Sequence, residues 1–340
     1  MDDSKLGTRN KRGDWSPNAP IVYPPLFVWP PRPVALVKWI VGLPGYLFPW
    51  TAFYIAVAAL TYAYLTPSAE TTKTFAPGWL SFLLARNLVY VLIFYGGMHL
   101  LLYMKRAQKS QFKFNARWPD VDNPTFLFRD QVWDNMFWTL ASGVPIWTAY
   151  EAFMLWIFSN GYAPSLSWSE HPYYNVVLLL VIPWWRELHF FCAHRLLHVP
   201  ALYRHIHKLH HNNVNILPWS GLAMHPVEHL LYFSVVLIHV IVPSNPLHAI
   251  FTLSHAGLTP AQGHVGYSRI GLGGVDLQVH TYPHYLHHKY FECNYADGSV
   301  PLDKWFGTFH DGTPESQARM DARFLKQAEK ANAKKPRASA

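Results

Sequence analysis

The chain has 340 residues, 51% of them hydrophobic, 16% aromatic and only 14% charged, with a formal net charge of +8. Soluble globular proteins average about 25% charged residues, so most of this surface is not built for water. The two cysteines, Cys192 and Cys293, are too few for a disulfide framework or an iron–sulfur cluster, and no basic stripe or motif suggests a nucleic-acid partner.

In chain order, residues 1–34 are polar and proline-rich. They lack the basic-then-apolar order of a cleaved signal peptide and read as a loosely structured cytosolic tail. Residues 35–192 form the transmembrane region. Spanning a bilayer takes about 20 mostly apolar residues, and Leu47–Leu65, Trp79–Met104, Val132–Phe158 and Tyr173–Cys192 each supply such a run. Arg86, Asn87, Glu151 and Arg186 fall inside these runs, where polar groups must be paired or functional, and an Arg86–Glu151 pair is expected. A short hairpin over about 229–258 is broken by Pro243-Ser-Asn-Pro246. Lys105, Arg106, Lys109, Lys113, Arg117 and Arg129 fill the connection between the second and third runs, whereas the flanking connections carry only Lys73. Positive charge collects on the cytoplasmic side, which puts both termini and the whole region 193–310 in the cytosol, followed by a basic tail over 311–340. The expected fold is therefore an all-α integral membrane protein: four transmembrane helices and a short hairpin under a cytosolic histidine-rich cap.

Of the 20 histidines, 17 lie between His189 and His288. They form four boxes: His194-Arg-Leu-Leu-His198, His207-Lys-Leu-His210-His211, His225-Pro-Val-Glu-His229 and His284-Tyr-Leu-His287-His288. Helix positions i, i+3 and i+4 share a face, so each box can aim two or three imidazoles at one point. No single ion uses ten imidazoles, and two metals in a shared cage is the natural reading. His205 lies off the face of the second box and reads as structural. His280 precedes the last box, but Thr281-Tyr-Pro283 interrupts the helix there, so it reads as a neighbour of the site. Glu228, Asp276 and Glu187 are candidates to orient ligand imidazoles. An all-histidine shell suits zinc, copper, iron or nickel. The residues alone do not name the metal, and the membrane context favours iron. Two rival readings are a membrane zinc metalloprotease using H-x-x-E-H over His225–His229, and a metal transporter.

The order H-R-x-x-H, H-K-x-H-H, H-P-x-E, G-H-x-G-Y and H-x-x-H-H, followed by Cys293-Asn294-Tyr295 and Leu302-Asp303-Lys304-Trp305-Phe306-Gly307-Thr308, resembles the fatty acid hydroxylase/sterol desaturase superfamily of membrane di-iron enzymes. The match covers roughly 186–308, and the tail departs from the family pattern where Ala296-Asp297-Gly298 follows Tyr295. The resemblance implies His194, His198, His207, His210, His211, His225, His264, His284, His287 and His288 as metal ligands, and the spacing of the third box adds His229. It implies two iron ions, replaceable by zinc on purification, with O2 as co-substrate. The eight histidines of the first, second and last boxes are then the catalytic set. It implies hydroxylation or desaturation of a membrane lipid, whether sterol, fatty acyl or sphingoid. Lacking a dinucleotide loop or haem motif, the chain needs an external electron donor, cytochrome b5 or ferredoxin with its reductase, steered by basic residues that include Lys109 and Lys113.

Overall fold

The computed structural model describes residues 2–333 except 273 and 274. The chain is a helical bundle. Its long helices are α1 (Pro33–Val41), α2 (Leu47–Tyr64), α3 (Pro77–Met104), α4 (131–159) and α5 (Pro172–Leu197). They are followed by α6 (200–211), α7 (Pro226–Val240), α8 (Pro246–Gly263), α9 (Tyr282–Tyr290), α10 (Leu302–Trp305) and α11 (Pro314–Ala333). Two small antiparallel hairpins complete it: β1 (Gly7–Arg9) with β2 (Trp15–Pro17), and β3 (Arg269–Leu272) with β4 (Val275–Gln278), in which Arg269 faces Gln278.

Among the described residues three helices, α2, α3 and α5, are long and apolar enough to cross a membrane. Their outward faces carry exposed Phe53, Leu60, Phe82, Ile93, Val177 and Leu188. A helix that turns such residues outward has lipid as its solvent, and the chain is an integral membrane protein. The expected count of four spans is not reached on length and composition. Helix α4 is as long as the others, but Gln131, Asp134, Asn135, Thr139, Ser142 and Glu151 are buried along it and lower its apolar content. The hairpin also differs from expectation. Its second arm, α8, has 14 of 18 residues buried and is the central post of the bundle, packed against α2, α4 and α5. Close approach to α4 requires Gly257, where a Cβ would fall 2.5 Å from the Trp147 ring, and the Gly257 carbonyl accepts the Tyr95 hydroxyl at 2.7 Å.

Arg86 on α3 pairs with Glu151 on α4, both buried, and Asn87 donates to Glu151 and Thr148 at 3.1 Å each. Buried charges persist when paired and hydrogen-bonded, and this cluster ties α3 to α4 inside an apolar bundle.

Two expectations for segments outside the spans are overturned. The N-terminal segment is not loose, because the β1–β2 hairpin drives Trp15 (2% exposed) between Phe112 and Phe114, and the Ile21 N–H reaches Asp311 O at 2.8 Å. A proline-rich run buries one large aromatic ring and becomes a strap. Lys113 is likewise not on the surface. It is fully buried, donates to the Asn115 and Arg117 carbonyls at 2.5 and 2.6 Å, and lies over the Tyr103 and Trp118 rings. Burial lowers its pKa to about 7. The expected C-terminal tail over 311–340 forms α11 through Ala333, and residues 334–340 lie outside the described residues.

Candidate metal centre

Helix α5 carries His194 and ends at His198, four residues later on the same face. Pro200 opens α6, on which His207, His210 and His211 follow. His264 caps the C-terminus of α8. Thr281 caps α9, which begins at Tyr282 as the Tyr-Pro pair predicts, and α9 presents His284, His287 and His288. These four segments bring nine histidines into two groups. His194, His198, His207, His211 and His287 form the first; His210, His264, His284 and His288 form the second. Within each group the candidate ligand nitrogens lie within 4.8 Å of one another.

Each H-x-x-H-H box serves both groups, which departs from the expectation of one point per box. A step of four residues turns a helix about 40° past a full turn, and a step of three stops about 60° short. His207 and His211 therefore go one way and His210 the other; His284 and His288 join the second group while His287 turns to the first.

Four of the nine histidines turn their second nitrogen to an acceptor, as metal ligands do. The Nδ1–H groups of His194, His287 and His264 donate to the carbonyls of Tyr295 (2.8 Å), Cys293 (2.7 Å) and Pro260 (3.0 Å), and that of His207 donates to Glu228 Oε1 at 2.7 Å. A neutral imidazole that donates from Nδ1 has its lone pair on Nε2. Nε2 of His194 and of His207 are buried with no hydrogen-bond partner among the described residues, and the Nε2 atoms of His264, His284 and His288 stand 2.9–3.1 Å apart. Lone pairs gathered this closely repel unless a cation lies among them. Burial lowers the His207 pKa to about 3 and, with help from neighbouring imidazoles, holds His210, His211, His284, His287 and His288 well below the ordinary histidine range. All six are neutral, the form that binds metal.

His225 and His229, expected as ligands, enter neither group. His225 caps α7, its Nδ1 accepting the Val227 N–H at 3.2 Å. His229 is held between Ser142 Oγ (2.9 Å) and the Leu222 carbonyl (3.1 Å), so both its nitrogens are occupied. An H-x-x-E-H protease needs these two imidazoles on one ion, whereas both nitrogens of His229 and Nδ1 of His225 are already engaged in hydrogen bonds. Of the candidate orienting carboxylates, Glu228 reaches a group histidine. Asp276 instead pairs with Arg269 across the β3–β4 hairpin, and Glu187 accepts the N–H groups of Gly298, Ser299 and Val300 at 2.8–3.1 Å. His205 is exposed, as its spacing suggests, and His280 lies at the rim of the adjoining cavity with a left-handed φ of 48°.

Sequence reading missed the backbone acceptors. Asp303 receives the N–H groups of Tyr295 (2.9 Å) and Ala296 (2.8 Å), and Asn294 exchanges hydrogen bonds with the His310 backbone. These side chains fold the 291–310 loop so that the Cys293 and Tyr295 carbonyls meet His287 and His194. The Asn-Tyr and Asp-x-x-Phe-Gly-Thr motifs were the available signal.

The second group borders an internal cavity of about 200 Å³, lined by His210, His264 and His284 together with Trp50, Phe190, Met224 and Val279. A wider cleft of about 610 Å³, between the Pro17–Pro25 strap and the α1–α2 turn, shares Trp50, Arg186, His255 and Asp297 with it. The first group does not line either space; its half-buried member, His198, lies against Tyr203 instead.

Residues 177–308 match the fatty acid hydroxylase family model. The chain is similar to a Delta(7)-sterol 5(6)-desaturase of Gibberella zeae, 30% identical over 38% of this chain and 40% of that protein. It is also similar to a putative Delta(7)-sterol-C5(6)-desaturase of Arabidopsis thaliana, 25% identical over 70% of this chain and 82% of that protein. A methylsterol monooxygenase of Gallus gallus is 31% identical over 42% and 49% of the two chains. The aligned region spans half or less of the first fungal relatives, at 40%, 47% and 49% of their lengths. No solved structure matches. With their ordered histidine boxes and the loop that braces them, residues 177–308 are similar to the fatty acid hydroxylase/sterol desaturase superfamily.

Proposed function

We infer that this chain is an O2-dependent di-iron oxidoreductase that hydroxylates or desaturates a membrane lipid, with sterols the best-supported class. The observation that carries the reading is the convergence of nine buried or half-buried imidazoles in two groups, the second of which walls a cavity that Tyr54 of α2 and Phe190 of α5 also line. The relatives' names supply the sterol. When bound, iron supplies with O2 and two electrons the oxidising power that an unactivated C–H bond requires, which zinc cannot.

The protein's own residues do the rest. His194, His198, His207, His211 and His287 would hold one ion and His210, His264, His284 and His288 the other, with Glu228 and the carbonyls of Pro260, Cys293 and Tyr295 fixing the ring orientations. Phe190, Met224 and Val279 exclude water beside the second group and pack the lipid against it. We count α4 as a fourth span, so that both termini share one side with the histidine region; the basic connection between α3 and α4 supports reading that side as cytosolic. Electrons arrive there from a separate carrier, a cytochrome b5 or a ferredoxin with its reductase, drawn by exposed Lys105, Arg106, Lys109 and Arg117.

The test is reconstitution of purified protein in liposomes with 5α-cholest-7-en-3β-ol, NAD(P)H, reductase and carrier under ¹⁸O2, with products read by mass spectrometry. A dehydrogenated sterol or an ¹⁸O-hydroxylated one is expected, dependent on iron and carrier. Turnover in iron-free protein, or no oxidation of sterol, fatty acyl or sphingoid lipids by the two-iron protein, defeats the reading.

A further inference from the structure

His255 lies on α8, nine residues before His264 and outside both metal groups. It is 8% exposed, and its Nδ1 has no hydrogen-bond partner among the described residues. The ring stands edge-on to Tyr54 at 5.3 Å and borders both the inner cavity and the outer cleft. Arg186 borders the same two spaces and is also 8% exposed. Its Nη2 pairs with Asp297, its Nη1 donates to the Tyr232 hydroxyl at 3.4 Å, and its Nε is buried with no partner among the described residues. Tyr232 is in turn committed: Pro260 has no N–H for the Ala256 carbonyl four residues earlier, and the Tyr232 hydroxyl donates to that carbonyl at 2.8 Å.

Buried polar atoms without partners are rare in native proteins, and two carried by neighbouring residues that line one cavity point to where a ligand atom belongs. The charge balance says which kind. Asp297 neutralises Arg186, so the wall has no net positive charge for a carboxylate or phosphate. An imidazole offers one donor and one acceptor, the complement of a hydroxyl. The distance is also informative, since nine residues of α8 span about 13 Å. Phe190 fills part of that interval, its ring 4.8 Å from His194 and 6.4 Å from His284 on one side, with the Arg186 guanidinium 5.8 Å away on the other.

We propose that His255, supported by the Arg186 Nε–H, is the specificity-determining residue that holds an uncharged oxygen, a lipid hydroxyl, at the cleft end of the cavity and thereby sets which carbon reaches the second histidine group. This rests on the lipid-oxidation reading above. The anchor selects lipids whose polar end is an alcohol over free fatty acids and phospholipids.

The test is binding to the full-length, metal-loaded protein in detergent, followed by tryptophan fluorescence, since Trp50 lines both spaces. The probes are 5α-cholest-7-en-3β-ol, its 3-deoxy counterpart 5α-cholest-7-ene, and oleate. The natural chain should bind the alcohol about tenfold tighter than the deoxy compound, the difference one buried hydrogen bond makes. His255→Leu should erase that preference, whereas His255→Gln, which keeps a donor and an acceptor, should retain most of it. The comparison in the natural chain needs no variant: equal binding of alcohol and hydrocarbon, or tighter binding of oleate, overturns the proposal. So does a folded His255→Leu protein that keeps the preference. Metal content and sterol oxidation are measured on the same samples. A hydroxyl preference without metal or oxidation keeps the anchor and defeats the oxidoreductase reading; oxidation without the preference defeats the anchor alone.

Discussion

The third and fourth histidine boxes are alike in sequence and opposite in use. Both place spaced histidines on the first turns of a helix that opens with a proline, α7 and α9. On α9, His284, His287 and His288 all turn into the metal groups. On α7, His225 caps the helix and His229 is fastened to Ser142 and Leu222, while the carboxylate between them, Glu228, reaches back to His207. Spacing makes a common face, but the partners of the ring nitrogens decide what that face does. A histidine whose Nε2 meets only other imidazoles is arranged to hold a metal, the more so where Nδ1 is held by a carbonyl or carboxylate, as in His287. One with both nitrogens in hydrogen bonds is part of the scaffold.

The sharpest way to break the comparison is to remove one histidine from each side. His287→Ala should leave the first group with four imidazoles, lower metal content below two ions per chain and abolish turnover. His229→Ala should leave both ions in place and cost about 1–3 kcal/mol of stability, because the Ser142 hydroxyl and the Leu222 carbonyl lose a buried partner. Elemental analysis with thermal unfolding in detergent reads both. Loss of an ion from the His229 variant at full folding would place the third box in the centre after all.

Glu228 tests the link between the boxes. Glu228→Ala frees the His207 Nδ1–H and should weaken metal retention about 10- to 100-fold, the usual scale for removing a carboxylate behind a ligand imidazole. Competition with a chelator measures it. An unchanged metal affinity would mean that Glu228 only packs there.

Acid tests whether the groups are occupied. The group histidines outside the spans are held neutral in the fold, while an unfolded histidine takes a proton near pH 6.5. Below that pH the unfolded state binds more protons than the folded one, so stability falls as pH drops from 7 toward 5. Bound metal should oppose the early part of that fall. Equal acid sensitivity with and without metal, read as the melting midpoint, would argue against occupation of these imidazoles.

Much of this was legible in the residues. The four boxes, the break before α9 and the Arg86–Glu151 pair follow from periodicity, proline placement and the cost of charge in an apolar helix, and His264 from the family resemblance. What escaped depends on long-range contacts that no local pattern carries. The division of each H-x-x-H-H box between two groups requires knowing where the facing helix lies. Lys113 looked like surface charge because only the fold supplies the Asn115 and Arg117 carbonyls that satisfy it in the interior. Helix α8 looked like a membrane arm because a buried post and a lipid-facing one are equally apolar. Trp15 alone, in an otherwise polar and proline-rich run, was the clue that the N-terminus packs down.

The smallest effect belongs to His225, and it is the most exacting check on the third box. Its Nδ1 accepts the Val227 N–H at the start of α7, the role that Asn or Asp more often fills. His225→Ala should cost about 0.5–2 kcal/mol of stability, and His225→Asn should recover most of it. Neither change should alter the metal count, because the ring lies outside both groups. A ligand would behave in the opposite way: alanine and asparagine would be equally damaging, since neither offers an imidazole, and the loss would appear in metal content before it appeared in the melting midpoint. The order in which those two readouts respond therefore distinguishes a helix cap from a ligand at this position.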